Sequence, residues 1–139
     1  MNLFKELRKT RILIIDDDKW IRNSLSMFFE GEGCRITACE TAEEGFEVLE
    51  SQDCRIIIAD YRLPGMDGLE FFRHVQETHQ QTLKILITAY GNQNIFEEAE
   101  SIGVGTVIQK PFTVGIIKQS LISLLKNDNW KTPIGKQKT

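Results

Sequence analysis

Five short β-prone runs punctuate the chain: Ile12-Leu13-Ile14-Ile15, Arg35-Ile36-Thr37-Ala38, Ile56-Ile57-Ile58-Ala59, Lys84-Ile85-Leu86-Ile87 and Thr106-Val107-Ile108-Gln109. The first, third and fourth carry apolar residues without alternation, the pattern of strands buried on both faces. Between the runs the period changes to helical. Ile21, Leu25, Phe28 and Phe29 predict a helix over 19–30, with acids at its positive end and Gly31 and Gly33 stopping it. Thr41 and Glu44 have capping-box spacing before Phe46, Val48 and Leu49, giving a second helix to about Ser51. Leu69, Phe72 and Val75 share one face of a third helix over 68–78. Gly91 and Asn92 break the chain before a fourth, carrying Ile95, Phe96, Ala99 and Ile102. Thr113 caps a fifth, whose apolar face is Ile116, Ile117, Leu121, Leu124 and Leu125.

Five strands alternating with five helices predict an α/β doubly wound parallel sheet with right-handed crossovers. The pattern occupies one domain, residues 11–126. Before it, Leu3, Phe4 and Leu7 give the lead over 1–10 enough apolar character for one amphipathic turn, or for a frayed end. After it, residues 127–139 contain Trp130 and Pro133 but no periodicity, and read as a linker or disordered tail.

Composition narrows the function classes. A net charge of −3 opposes nucleic-acid binding through bulk charge, which needs a basic surface. Cys34, Cys39 and Cys54 form no CxxC pair, and His74 and His79 are the only histidines, so neither a zinc site nor a disulfide framework is expected. No apolar run approaches the roughly 20 residues of a membrane span, and the lead is too charged for a signal peptide. The expectation is a cytoplasmic chain.

In doubly wound sheets the chemistry lies beyond the carboxyl ends of the strands. Asp16 and Asp17 follow the first run, Asp60 the third, Thr88 the fourth and Lys110 the fifth. Two carboxylates about 4 Å apart repel by about 4 kcal/mol at an effective dielectric near 20. Such a cluster calls for cations, one from Lys110 and one from a hard divalent ion such as Mg²⁺, which takes oxygen ligands. A hard cation, a lysine and a threonine hydroxyl suit a phosphoryl group, and an aspartate is a competent nucleophile for one. Asp60, preceding Pro64, Gly65 and Gly68 in a loop, is the central candidate; Asp18 reads as a helix cap. Neither a Gly-x-Gly-x-x-Gly nor a Walker-type motif occurs, which opposes a dinucleotide or nucleoside triphosphate site.

Residues 11–126 resemble the receiver domain of two-component response regulators. The motifs are Ile14-Ile15-Asp16-Asp17-Asp18, Asp60 with Leu63-Pro64-Gly65-Met66-Asp67-Gly68, Ile87-Thr88-Ala89 and Lys110-Pro111-Phe112. The resemblance implies a flavodoxin-like sheet of order 2-1-3-4-5 and Asp60 as acceptor of a phosphoryl group from a sensor histidine kinase or phosphotransfer protein. It implies Mg²⁺ held by Asp16, Asp17, Asp60 and the carbonyl of Arg62. Lys110, Thr88 and the Ala89 amide would contact the phosphoryl group, and Lys110–Pro111 would be cis. The chain would be a switch rather than a turnover enzyme. Its output would run through a protein target or a linked output domain, with possible dimerisation through the fourth helix, fifth strand and fifth helix.

Val107 departs from the resemblance, because the family commonly has Tyr or Phe three residues before the lysine. Coupling is therefore expected through Thr88 and the loop after it. Bulky Arg62 and Tyr90 stand where the family tunes phosphoryl lifetime, which predicts slow self-dephosphorylation. The rival readings are a Mg²⁺-dependent aspartyl-phosphate phosphatase and a degenerate receiver. The first lacks an acid two residues beyond Asp60, where Arg62 stands; the second is opposed by a complete acid site.

Overall fold

The isoleucine-rich runs form the middle of a five-stranded parallel sheet, flanked by helices on both faces. The computed structural model describes residues 3–127. In chain order the elements are α1 (Leu3–Leu7), β1 (Arg11–Ile15), α2 (Lys19–Gly31), β2 (Arg35–Cys39), α3 (Ala42–Ser51) and β3 (Cys54–Asp60). They continue with α4 (Gly68–Thr78), β4 (Leu83–Thr88), α5 (Gln93–Ser101), β5 (Thr106–Gln109) and α6 (Val114–Asn127). The strand order is β2-β1-β3-β4-β5, as the resemblance implies.

Successive side chains of a strand point to opposite faces, so each central strand feeds two cores. Ile12, Ile14, Ile56, Ile58, Ile85 and Ile87 pack with Leu25 and Phe29 of α2 and Ile117, Leu121 and Leu125 of α6. Leu13, Ile15, Ile57, Ala59 and Leu86 pack on the other side with Leu49, Leu69, Phe71, Phe72 and Ala99. The three cysteines are free and buried.

Local chemistry starts α2 to α6. The Asp18 carboxylate accepts from the Trp20 amide at 2.8 Å and caps α2. Thr41 and Glu44 form the reciprocal capping box of α3. Asp67 accepts from the Glu70 amide at 2.8 Å, Asn92 from Ile95 at 3.0 Å and Thr113 from Ile116 at 3.2 Å. The Lys110–Pro111 bond is cis.

Several expectations are corrected. There are six helices among the described residues rather than five, because the lead forms α1, and Leu7 is fully buried in the α2–α6 core. Ile116 is 46% exposed and so lies off the buried face of α6, while Asn127 belongs to that helix. β2 extends to Cys39, one residue past its expected end at Ala38. The rest of the expected tail lies outside the described residues.

Because Leu7 reaches the core, Leu7→Ala is expected to lower unfolding free energy by about 2–4 kcal/mol in urea titration. A change near zero would mean that the lead does not contribute to the core.

Candidate functional site

The crossover leaving β1 runs to β2 on one side and the crossover leaving β3 runs to β4 on the other, which opens a crevice at the carboxyl ends of β1 and β3. Asp16, immediately past β1, and Asp60, ending β3, are both buried there, while Asp17 is exposed at the rim. One carboxylate oxygen from each of the three lies within 4.8 Å of the others. Asp16 Oδ1 accepts from the Asp18 amide at 2.8 Å. Its Oδ2 is buried, accepts no hydrogen bond and lies 3.5 Å from Lys110 Nζ.

Lys110 Nζ donates to Asp60 Oδ2 at 3.1 Å. Burial pushes the Asp60 carboxyl above its ordinary value, against the opposing pull of Lys110 and the Arg62 amide. Asp16 is raised to about 6, chiefly by burial, with the Asp18 amide opposing and Asp60 adding to the rise. Burial works to lower Lys110, but Asp16 and Asp60 outweigh it and raise the ammonium above its usual value. The cluster therefore holds Asp16 and Asp60 reluctantly ionised and its lysine firmly charged.

Thr88 is fully buried at the end of β4, and its Oγ1 accepts from the Tyr90 amide at 2.9 Å, which leaves the hydroxyl proton available to donate. The Lys110 amide donates to the Thr88 carbonyl at 2.8 Å, tying the two strand ends together. Ala89 is exposed beside them. The Arg62 guanidinium sits over the Tyr90 ring, 4.7 Å from its centroid, a cation–π contact across the mouth of the crevice. His74 lies exposed on α4, and His79 caps the far end of that helix, so neither belongs to the cluster.

One contributor, Arg22, was not singled out by sequence reasoning. Arg22 donates to the Asp16 carbonyl at 2.9 Å and pairs with Glu40 at 3.2 Å, anchoring the turn after β1. Its sequence signal is only one basic residue on the first turn of a helix, which usually marks a solvated face. Asp67 caps α4, and Gly68 lets that helix begin against β3: an added Cβ would lie 2.3 Å from the Asp60 carbonyl oxygen. An Asp-Gly pair before an apolar period is the available signal for both. An apolar groove of about 600 Å³ opens beside the crevice, with Trp20 and Ile21 on one wall and Ala89, Lys110, Phe112 and Val114 on the other.

The family model for the response regulator receiver domain matches residues 12–122. The probable chemotaxis protein CheY of Rhizobium etli is 32% identical over 117 residues, covering 81% of this chain and 90% of that protein. The C4-dicarboxylate transport transcriptional regulatory protein DctD of Rhizobium meliloti is 31% identical over 109 residues, which are 78% of this chain but only 24% of DctD. Among solved structures, a CheY-like response regulator receiver domain protein from Methanospirillum hungatei superimposes with a TM-score of 0.76 at 29% identity, covering 85% of this chain and 98% of that one. The chain thus belongs to the response regulator receiver domains, and its flavodoxin-like sheet is the one they share.

Proposed function

We propose that this domain is a phosphorylation-activated switch of a two-component phosphorelay, with Asp60 as the acceptor. The observation that carries the reading is the buried Asp60 carboxylate hydrogen-bonded to Lys110, with two further acids and the Thr88 hydroxyl at the same sheet edge. The Asp60 carboxylate attacks the phosphorus of a donor phosphohistidine. The N–P bond breaks, and its electron pair returns to the imidazole nitrogen, which takes a proton. Lys110 pairs with the phosphoryl oxygens, and the Thr88 hydroxyl and Ala89 amide donate to them.

The donor set suits a hard divalent cation: Asp16 Oδ2 is buried without a hydrogen bond, and the neighbouring ligand atoms are carboxylate oxygens. Asp16, Asp17, Asp60 and the Arg62 carbonyl would hold Mg²⁺, and the ion would supply charge neutralisation there. The phosphoryl group adds about −1.5 to −2 charge, which draws Thr88 and Lys110 inward. With Val107 in place of an aromatic residue, the signal passes through Thr88 and its loop to the face formed by α5, β5 and α6. The donor is a cytoplasmic sensor kinase or phosphotransfer protein, for which the groove at Trp20 offers apolar contact. The output is a protein target or a linked output domain, as DctD's greater length illustrates. The α5–β5–α6 face is also the candidate dimer surface, and this segment makes no direct nucleic-acid contact.

Incubation with acetyl phosphate and Mg²⁺ is expected to give one phosphoryl adduct by intact mass, absent in Asp60→Ala. An adduct retained by that variant, or none in the parent, would refute the assignment. Metal binding needs deprotonated carboxylates. Because Asp16 titrates at about 6, Mg²⁺ affinity is expected to fall as pH is lowered through that value. In the metal-free fold the sign is opposite: a raised carboxyl pKa favours the native state as pH falls, since it binds that proton more tightly than the unfolded chain. The rise in melting temperature caused by Mg²⁺ should therefore be larger at about pH 7 than at about pH 5; equal rises would contradict the titration of Asp16. The Arg62–Tyr90 contact screens water from the acyl phosphate. Arg62→Asn and Tyr90→Glu are each expected to shorten the phosphoryl lifetime severalfold in a decay assay, and unchanged lifetimes would exclude the screen.

A further inference from the structure

At the opposite end of the sheet from the acids, β1 and β2 begin in basic residues. The register of β1 and β2 sets Arg11 directly beside Arg35. Like charges facing one another across a strand pair are destabilising unless something neutralises them. Arg55, the second residue of β3, and Lys9, in the turn before β1, bring two more cations to the same place, and the four line one pocket of about 600 Å³. That volume falls within the range of small-molecule sites, roughly 300–1,000 Å³.

Arg11 and Arg35 hydrogen-bond to neutral groups. Arg11 donates to the Thr37 hydroxyl at 3.1 Å and Arg35 to the Lys9 carbonyl at 3.3 Å. Among the described residues, neither these two arginines nor Lys9 forms an ion pair. Glu6 and Asp53 also line the pocket, so positive charge exceeds negative there by two formal units, on a chain whose net charge is −3. A second observation points to a ligand independently of charge. Thr10, also on the lining, is 5% exposed, and its hydroxyl is buried with no hydrogen-bond partner. A buried polar group without a partner is costly unless a ligand or water completes it. Nothing in phosphoryl transfer at Asp60 uses this pocket.

We infer that the pocket is a binding site for a small ligand carrying a phosphate group. Planar guanidinium forks match phosphate oxygens in pairs, and the Thr10 hydroxyl supplies a further hydrogen bond. Inorganic phosphate and the phosphate of an organic ester share this chemistry, and the volume leaves room for an organic body.

The test is amide NMR titration of the metal-free full chain with inorganic phosphate and, separately, with AMP, each at constant ionic strength against sodium chloride. The expected result is saturable shifts at residues 9–11, 35 and 52–55, without matching shifts at Asp16, Asp60 or Thr88. Tighter binding of AMP would identify an ester as the ligand, and equal binding would identify the free anion; either outcome supports the site. Arg35→Ala and Lys9→Ala, both exposed positions, are each expected to weaken binding by about tenfold or more while leaving the acetyl phosphate adduct on Asp60 intact. Thr10→Val should weaken binding with an unchanged fold by amide spectrum. No saturable shift with either probe, shifts confined to the acid site, or shifts unaffected by all three substitutions would overturn the inference.

Discussion

The repulsion among Asp16, Asp17 and Asp60, held in check by one ammonium group, is the constraint around which the carboxyl edge of the sheet is built. Lys110 lies 3.1 Å from Asp60 and 3.5 Å from Asp16, so a single cation serves both buried acids. Removing it would leave two carboxylates in a poorly solvated crevice, where desolvation already raises both. The reach from β5 to β3 succeeds only because β4 lies between them in a fixed register and its Thr88 carbonyl accepts from the Lys110 amide.

The same charge balance unites fold and proposed chemistry. A site with an excess of negative charge favours a cation, and a cation beside an ionised aspartate lowers the barrier to receiving a phosphoryl group. In the proposed transfer, the new negative charge would compete for Lys110 and for the free proton of the Thr88 hydroxyl. The Arg62–Tyr90 contact stands over this exchange, so access to the acyl phosphate and the position of the β4–α5 loop are linked through one ring.

Much of this was legible in the chain because period and position carry it. Unbroken runs such as Ile56-Ile57-Ile58 announce strands covered on both faces, and parallel topology then delivers every following polar residue to one edge. The helix over 68–78 was readable to the residue because Pro64 and Gly65 break the chain after β3 and the apolar period starts at Gly68. The lead was less readable: its five-residue helix is too short to establish a period, and it owes its docking to Leu7 meeting the α2–α6 core. Ile116 followed the apolar pattern of α6 but faces solvent, since a pattern gives the width of a stripe and not the extent of what covers it. Arg22 and the Arg11–Arg35 pairing depend on which strand lies beside which, and long-range register is not written in any local window.

Gly91 carries a consequence for how movement can travel. The Gln109 side chain fills the space a Cβ at Gly91 would occupy, with its amide nitrogen 1.9 Å from that point. The backbone of the β4–α5 loop and the side chain just before Lys110 are therefore meshed like adjoining teeth. In the proposed switch, an inward step of Thr88 would act on Gln109 through Gly91, giving a chain without an aromatic at Val107 a second route from its hydroxyl donor to its outermost strand.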